Sequence, residues 1–346
     1  MSSANFFIFS LSSSESNSSP DILNDLFIVG ELSYYSAFRR LYCERSWRWL
    51  TTRIAVIHDS KSPDLPSREL LEAAKSRGLE AVFLRLSGLS SEVGHLRSFY
   101  YGRRSLSRID GAIVRSLGSV VSVEQYVRRI ALLKEMERSG ITVMNPVEGL
   151  VMARDKYGAL ALLSRHGIKV PRTLVTEDLG LAYNFSKEVG RVVVKPLIGS
   201  RGYGSVLIED PEVALRVFKT LISFNQVIYV QEYVAKRHFD LRVFVLGGEV
   251  LACIKRVSVV PGEWRTNIAQ GGKAEAYKAP PEVEEMAIKA CEVLGLWYAG
   301  VDVIEREGEY LILEVNAAPD WHGLMEATGV KPAKAIIDFI VEKVKK

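Results

Sequence analysis

The amino-acid sequence predicts an α/β protein in which a small parallel sheet precedes a larger part with antiparallel strands. From Arg53 to residue 145, short apolar strand patterns alternate with helical patterns, which is typical of a parallel sheet covered by helices. Beyond residue 227, longer apolar runs follow one another through a glycine turn, which favours antiparallel pairing. With 346 residues, 48% of them hydrophobic, the chain is long enough for roughly two to three globular domains.

The first 50 residues differ in composition from the rest of the chain. A serine-rich stretch from Ser12 to Ser19 leads into an aromatic and arginine-rich stretch that ends at Trp49. We interpret residues 1–50 as a poorly ordered N-terminal extension, with a partner-binding arm as the alternative.

Residues 51–145 predict a small parallel α/β domain. Helical patterns at 68–77 and 124–138 alternate with strand patterns at 54–57, 81–84, 111–114 and 141–144. The first strand is followed by HDSKSP (residues 58–63). Because a dinucleotide-binding domain carries a glycine fingerprint at this place, a nicotinamide cofactor is disfavoured.

The remainder of the chain mixes helices with longer strands. Strand patterns lie at 172–175, 191–194, 205–208, 227–234, 241–246, 249–256, 298–304 and 310–316. Helical patterns lie at 155–165, 179–189, 211–221, 282–294 and 332–345. Cys291 falls in the apolar stripe of its helix, so we interpret it as a core residue and not as a reactive thiol.

Lys195 ends an apolar strand pattern and is followed at once by a glycine-rich loop. The loop contains Gly199, Ser200, Gly202 and Gly204. A lysine at a strand end beside flexible backbone N–H donors is an arrangement that binds phosphate groups.

Three oxygen-bearing side chains lie on two neighbouring strand patterns near the C-terminus. Asp302 lies in the first strand, while Glu314 and Asn316 alternate along the second. Hard oxygen donors of this kind are typical magnesium ligands. A bound cation would also offset the cost of placing carboxylates inside apolar strands. Together with the Lys195 loop, this pattern indicates an enzyme that uses ATP.

Composition disfavours several other classes of protein. The net charge is only +4 and no long basic run occurs, so nucleic acid is disfavoured as a ligand. Cys43, Cys253 and Cys291 are far apart, which favours a reducing, cytoplasmic setting over a disulfide framework or zinc site. We expect no membrane segment, because no apolar run reaches the length of a membrane-spanning helix.

From about Arg53 to its C-terminus, the sequence carries an ordered series of motifs. They are ARDK (153–156), the Lys195 strand with its glycine loop, QEY (231–233), DLR (240–242), WRTN (264–267) with Gly271-Gly272, GVD (300–302) and LEVNAAP (313–319). The series resembles the RimK-like ATP-grasp ligases, the group of the ribosomal-protein and coenzyme glutamate ligases. A single glycine loop would be weak support, but the ordered series is specific.

The resemblance implies an ATP-grasp fold, in which two α+β lobes grip ATP behind a pre-ATP-grasp domain. It implies a pre-ATP-grasp domain over 51–145, a small lobe over 146–228 and a large lobe with the metal site over 229–346.

The resemblance also implies roles for individual residues. The segment Glu232-Tyr233-Val234 would hold adenine and Asp240 the ribose. Phosphates would contact Lys156, Lys195, the Gly199–Gly204 loop and Arg265-Thr266-Asn267. Asp302, Glu314 and Asn316 would hold magnesium or manganese, with two ions expected. Arg242, Arg256 and Arg265 would stabilise the transferring phosphoryl group or the oxyanion, as the catalytic residues.

The implied reaction is carboxylate–amine ligation. A substrate carboxylate attacks the γ-phosphate of ATP, and an amine converts the resulting acylphosphate into an amide. The favoured amino acid is glutamate, and the acceptor is a protein tail or coenzyme that ends in a carboxylate. Two alternatives stay open: an ATP-grasp ligase that makes a dipeptide or thioester, and a nucleotide-responsive binding protein without turnover. A homo-oligomer also stays open.

The chain departs from the family pattern at two places near the expected acceptor site. Arg201 and Tyr203 are bulky residues inside the glycine loop, which puts the acceptor contacts in doubt. Trp321 has two interpretations, as a lining residue of the acceptor pocket or as a core residue. His322 is interpreted as a hydrogen-bonding residue, with proton transfer as the alternative.

Overall fold

The computed structural model describes six stretches of the chain: residues 52–94, 98–106, 108–199, 204–235, 239–258 and 272–345. They belong to one compact unit that begins at Thr52. In these stretches no helix has the length and apolarity needed to cross a membrane.

A four-stranded parallel sheet forms the first part, as predicted. Its strand order is β2-β1-β6-β7, and the central strand β1 is fully buried from Ile54 to Ile57. Helix α1 begins where Asp64 accepts a hydrogen bond from the backbone N–H of Ser67. In chain order the elements are β1 (Arg53–His58), α1 (Leu65–Ser76), β2 (Glu80–Arg85), β3 (Leu89–Glu92), β4 (Ser98–Tyr101), β5 (Arg104–Ser105), β6 (Gly111–Val114), α2 (Val123–Arg138) and β7 (Thr142–Met144).

Strands β3, β4 and β5 form a small antiparallel sheet that the sequence pattern did not predict. Their residues are mostly polar and exposed. Without an alternation of buried and exposed positions, the periodicity that identifies a strand is missing.

The predicted helix over 155–165 is the second of two consecutive helices, α3 (Val147–Arg154) and α4 (Lys156–Arg165). They meet at Asp155, whose extended backbone ends α3 and whose carboxylate accepts a hydrogen bond from the N–H of Tyr157 at 3.0 Å. This break places Lys156 at the first position of α4, beside the glycine loop.

A second four-stranded sheet follows and is antiparallel, in the order β10-β9-β11-β8. Helices α5 and α6 pack together, and their apolar residues share a core with this sheet that includes the fully buried Phe218. The elements are β8 (Thr173–Thr176), α5 (Leu179–Val189), β9 (Val192–Val194), β10 (Val206–Ile208), α6 (Pro211–Ser223) and β11 (Ile228–Glu232).

The C-terminal part is built on a five-stranded antiparallel sheet, in the order β14-β13-β12-β15-β16. The predicted hairpin of β12 and β13 is confirmed, with the turn at Gly247-Gly248. One face packs against α7, where Cys291 is buried in the core as predicted. The elements are β12 (Phe239–Leu246), β13 (Glu249–Val257), β14 (Lys273–Ala276), α7 (Pro281–Val293), β15 (Tyr298–Arg306), β16 (Glu309–Asn316), α8 (His322–Thr328) and α9 (Pro332–Lys345).

Candidate active site

The opposite face of the five-stranded sheet collects most of the charged residues that the sequence singled out. Cross-strand neighbours share a face of a sheet, and the register pairs Asp240 with Arg256, Arg242 with Asp302, and Asp302 with Glu314. Asn316 pairs with Gly300, which is two residues before Asp302 and on the same face. The predicted metal ligands and two of the predicted catalytic arginines thus lie together.

Arg256 and Arg242 are held by carboxylates. Arg256 Nε lies 2.6 Å from Asp240 Oδ1, and its Nη2 lies 3.0 Å from Asp302 Oδ2. Arg242 Nε lies 2.8 Å from Asp302 Oδ1. Burial disfavours the charge of Arg256, but Asp240 and Asp302 raise its pKa above the ordinary value of an arginine. For Arg242, burial lowers the pKa and Asp302 opposes that shift.

Asp302 retains an oxygen that can take a further ligand. Its Oδ1 is buried and accepts no hydrogen bond from a described residue, although Arg242 Nε is close. Burial raises the pKa of Asp302, while Arg242 and Arg256 counteract the shift. An additional cation beside this carboxylate would therefore be favourable.

The donor set around Asp302 fits a magnesium ion. The described residues contain no group of three or more His, Cys, Asp or Glu that could hold a metal. The predicted set instead has two carboxylates and the amide of Asn316. A partial oxygen set of this kind suits Mg²⁺, which usually keeps waters and binds substrate phosphates in its other positions.

Lys156 reaches the start of the glycine loop from the adjacent helix. Its Nζ donates to Gly199 O at 2.8 Å and lies 3.4 Å from Leu197 O. Burial lowers the pKa of Lys156, and the charge of Glu314 counteracts the shift. Lys156 is therefore within electrostatic range of the predicted metal site.

Lys195 lies just beyond β9 and its Nζ donates to Gln231 Oε1 at 2.7 Å. Gln231 in turn donates to Thr173 Oγ1 at 2.9 Å, which fixes the amide that holds the lysine. Gly204 ends the loop with a φ of 74°, and a Cβ there would lie 2.8 Å from Pro196 Cγ, so this position requires glycine.

The Glu232-Tyr233-Val234 segment follows β11 and is tightly bound to its surroundings. The backbone N–H groups of Glu232 and Tyr233 donate to Arg172 O and Arg191 O. The side chain of Glu232 accepts from Arg306 Nη1 at 3.0 Å, which ties β11 to β15. Val234 is buried against apolar residues of β15 and β16.

Some of the predicted residues lie outside the described stretches. They are Ser200 and Gly202 in the glycine loop, together with Arg265, Thr266 and Asn267.

Trp321 belongs to the core, so the core interpretation of this residue is the one the structure supports. It is 1% exposed, and its ring packs edge-on against Phe244 at 6.2 Å. Its Nε1 donates to Glu69 Oε2 at 2.5 Å. His322 lies on the surface, where its Nε2 is 3.2 Å from Glu326 Oε1.

Asn145 is a site residue that sequence reasoning missed. Its side chain is fully buried and accepts hydrogen bonds from the N–H groups of Trp297 and Tyr298 at 2.8 and 2.9 Å. Its Nδ2 donates to Tyr298 O at 2.8 Å and to Ala317 O at 2.6 Å. Asn145 therefore holds the start of β15 and the end of β16, the two strands that carry the predicted metal ligands. A polar residue directly before Pro146 was the only local indication.

Comparison with known proteins defines the class of the chain. The sequence-family model of the RimK-like ATP-grasp domain matches residues 153–340 of this chain. The chain is 34% identical over 293 residues to a probable alpha-L-glutamate ligase of Stutzerimonas stutzeri, with 83% of this chain and 95% of the relative covered. It is 31% identical over 312 residues to the tetrahydromethanopterin:alpha-L-glutamate ligase of Methanosarcina acetivorans, at 80% and 95% coverage.

Solved structures share the fold. The ATP-grasp ligase PsnB, in complex with a minimal precursor, Mg and ADP, has a TM-score of 0.65 at 22% identity, covering 85% of this chain and 98% of its own. A RimK-domain ATP-grasp protein from Sphaerobacter thermophilus has a TM-score of 0.66 at 23% identity, with 83% and 99% covered. The chain is thus an ATP-grasp enzyme, an ATP-dependent ligase that joins an acid to an amino acid. Within that class it belongs to the RimK-like ATP-grasp family.

Proposed function

We propose that this enzyme binds ATP and magnesium and adds glutamate to an acceptor that ends in a carboxylate, in the cytoplasm. One observation carries the proposal: Asp302 presents an oxygen without a hydrogen bond from the described residues, beside Glu314 and within a cluster that includes Arg242. The positively charged side chain of Lys156 lies close to this site, because it interacts electrostatically with Glu314. An acyl-phosphate route needs this combination of a hard-metal site and charge neutralisation.

Within this proposal, Lys156 and Lys195 bind the phosphates of ATP, and Asp302, Glu314 and Asn316 hold magnesium. Bound magnesium would supply charge neutralisation on the phosphate oxygens. The carboxylate of the acceptor displaces ADP from the γ-phosphate and forms an acylphosphate. The amine of glutamate then attacks the acyl carbon, inorganic phosphate leaves, and an amide remains.

Arg242 and Arg256 form different ion pairs, which suggests different roles for them. Arg256 has its charge balanced by Asp240 and Asp302, so we propose that it positions Asp302. The ion pairs and hydrogen bonds of the Arg242 side chain within the described residues are those to Asp302 and to Gly300 O, the latter at 3.4 Å. We propose that Arg242 contacts the transferring phosphoryl group. Asp240 is 3% exposed and bound by Arg256, which supports a structural role over ribose binding.

The amino acid and the acceptor rest on the relatives. The Stutzerimonas stutzeri relative is a probable alpha-L-glutamate ligase, and the Methanosarcina acetivorans relative is an alpha-L-glutamate ligase for tetrahydromethanopterin. The structural neighbour PsnB has also been solved in complex with a precursor peptide and AMPPNP. Both a coenzyme and a peptide tail therefore belong in the acceptor panel.

For the domains, we propose a pre-ATP-grasp domain over 51–145, a small lobe and a large lobe. Strand β11, at 228–232, pairs with β8 and β9 and not with the five-stranded sheet. We therefore propose a boundary between the small and large lobes at the end of β11, close to the expected boundary at residue 228.

The experiment combines the purified protein with ATP, magnesium, glutamate and a panel of acceptors: glutamyl peptides, reduced pterin and deazaflavin coenzymes. Phosphate release and product mass are measured together. We expect one acceptor to gain the mass of a glutamyl residue, and a folded Glu314→Gln variant to show none of this activity. Phosphate release with a mass gain from another amino acid would overturn the choice of glutamate. The absence of ATP turnover with every acceptor would count against the ligase proposal.

A further inference from the structure

The parallel sheet has a topological switch point between β1 and β6. The chain passes from β1 to β2 on one side and then crosses to β6 on the other side of β1. At such a point the connections leave the two neighbouring strands in opposite directions, which opens a crevice at their carboxyl ends. Asp59 directly follows β1, and Arg115 directly follows β6. In α/β sheets, this crevice is the usual place for a ligand.

Arg115 is buried at this switch point with few partners. It is 6% exposed, and the one hydrogen bond from its side chain to a described residue runs from Nη1 to Tyr298 Oη at the long distance of 3.5 Å. Its Nε has no hydrogen-bond partner among the described residues. No carboxylate of the same residues lies within ion-pair distance, and the guanidinium rests 4.6 Å above the ring of Trp321. A guanidinium has several N–H donors to satisfy, so a buried one with a single long bond is energetically unfavourable.

Two acidic groups in the surroundings of Arg115 have other hydrogen-bond partners. Asp64 accepts from the N–H of Ser67 at 3.1 Å and lies beside His58. Burial opposes the ionisation of Asp64, but the bonds from Ser67 and the charges of Arg115 and His58 bring its pKa below the ordinary value. Glu69 accepts the hydrogen bond from Trp321. Within the described residues, Arg115 therefore interacts with Asp64 only at longer range and has the Trp321 ring and Tyr298 Oη as its close partners, with no carboxylate at ion-pair distance.

Other polar atoms without a hydrogen-bond partner belong to residues near the carboxyl ends of β1 and β6: Asp59 directly follows β1, and Arg154 Nη2 donates to Gly118 O in the segment after β6. Among the described residues, the buried atoms without a hydrogen-bond partner include Asp59 Oδ1, Ser67 Oγ, Arg115 Nε and Arg154 Nε. Arg154 has no carboxylate partner in this set and lies over the ring of Tyr126. Arg154 is thus a second, partly buried guanidinium without an ion-pair partner among the described residues, whereas the carboxylate of Asp59 is balanced by Arg129.

Tyr298 connects the switch point to the strand that carries a predicted metal ligand. Tyr298, the partner of Arg115, is four residues before Asp302 on β15 and on the same face. Four residues of strand span about 13 Å, and the long side chains of Arg115 and Arg242 shorten the gap between them. A substrate of one or two glutamyl units can therefore place one carboxylate at each end.

We propose that Arg115 binds a non-reacting carboxylate of a substrate, supported by the positive charge of Arg154. The inference rests on the proposed function and deepens it, because it assigns the recognition of an acidic substrate to the switch point of the first domain. The carboxylate belongs either to the incoming glutamate or to the glutamyl end of the acceptor.

The test compares Arg115→Met and Arg115→Lys with Arg129→Met as the matched control. Arg129 is buried in the same crevice but paired, with Nη1 bound to Asp59 Oδ2 at 3.0 Å and to Leu117 O at 2.7 Å. We expect Arg115→Met to raise KM for glutamate or for the acceptor on the order of tenfold to a hundredfold, with KM for ATP within about twofold. The substrate whose KM rises is the one that Arg115 holds. Arg115→Lys retains the positive charge, so we expect a smaller increase in the same KM.

Thermal unfolding separates a ligand-binding role from a structural one. Without substrates, we expect Arg115→Met to unfold at the wild-type temperature or above, while Arg129→Met unfolds below it. L-glutamate or the peptide Glu-Glu should stabilise the wild-type protein and not Arg115→Met. Equal stabilisation of both proteins, or a drop in Tm with all KM values unchanged, overturns the proposal. If no ATP turnover is found but stabilisation by these probes depends on Arg115, the ligase proposal fails and the carboxylate site stands.

Discussion

Two groups of arginines in this protein differ in how their charges are balanced. On the five-stranded sheet, Arg242 and Arg256 share the carboxylate of Asp302, and Arg256 also binds Asp240. At the edge of the parallel sheet, Arg115 and Arg154 have no carboxylate within ion-pair distance among the described residues. Burial is similar for Arg115 and Arg256, at 6% and 4% exposed, so it does not explain the difference.

The difference shows that the fold contains two kinds of buried arginine, those paired with carboxylates and those without a carboxylate partner. A guanidinium that is bound on two sides by carboxylates is fixed in place, and it can position a neighbouring ligand group without leaving its own partners. A guanidinium that is buried without a counter-charge raises the energy of the folded state until an anion arrives. The first arrangement suits a catalytic face that must stay in one geometry, and the second suits recognition of an acidic substrate.

The largest effect should come from converting the paired group into an unpaired one. Asp302→Asn removes the carboxylate that Arg242 and Arg256 share. We expect the rate of amide formation to fall by a factor of about 10² to 10³. The free energy of unfolding should also fall by about 3–5 kcal/mol, because two guanidinium groups inside the fold lose a partner. Urea unfolding with the rate of product formation checks both results, and a fully active or equally stable variant contradicts the assignment.

Glu314→Gln sharpens the comparison, since it removes a predicted metal ligand without breaking a salt bridge of the described residues. Glu314 is half-buried and faces Asp302 across the strand pair. We expect a similar loss of activity, with the free energy of unfolding within about 0.5 kcal/mol of the wild-type value. Magnesium titration of ADP binding provides a second readout. If stability falls as it does in Asp302→Asn, Glu314 is part of the structural network and not a separate ligand.

Lys156 tests whether a buried amine also costs stability while it is charged. Burial lowers the pKa of Lys156. A lysine whose pKa is lower in the folded state than in the unfolded state costs stability while it is charged. That cost is present below the folded-state pKa and disappears as the pH rises through the unfolded-state value of about 10.4. We expect Lys156→Met to be slightly more stable than wild type at neutral pH, and the difference to vanish at alkaline pH.

The same variant should bind ATP more weakly if Lys156 contacts phosphate. Its KM for ATP should rise about tenfold, and the control Lys169→Met, at an exposed salt bridge with Glu309, should leave KM unchanged. Calorimetric unfolding at several pH values measures the difference in stability between Lys156→Met and the wild-type protein. A stability difference that grows with pH would contradict the sign given above.

The smallest effect concerns the buried thiols. Burial raises the pKa of Cys253 and Cys291 to about 12, so both remain protonated at neutral and mildly alkaline pH. We expect iodoacetamide to leave both residues unmodified in the folded protein and to modify both after denaturation. Peptide mass mapping checks this outcome, and rapid modification of Cys291 in the native protein would contradict its place in the core.

Elements with a regular apolar pattern were predictable from the sequence, and polar ones were not. The β12–β13 hairpin and the strand pair of β15 and β16 follow from long runs of mostly apolar residues on either side of a glycine-containing turn. Strands β3 and β5 of the small sheet have no such run. Helix α3 was also missed, because its eight residues are too few to establish a helical period, whereas the start of α4 at Asp155 was predicted.

The sequence by itself determined the order of the motifs, the class of most regular elements and the choice of Asp302, Glu314 and Asn316 as predicted oxygen donors. Periodicity and residue chemistry are local properties, so they can be read along the chain. Only the tertiary structure decided that Trp321 is a core residue, that Asn145 holds the ends of β15 and β16, and that Arg256 is paired while Arg115 is not. These outcomes depend on groups that are far apart in sequence, and burial and hydrogen bonding between such groups are settled only when the sheets pack together.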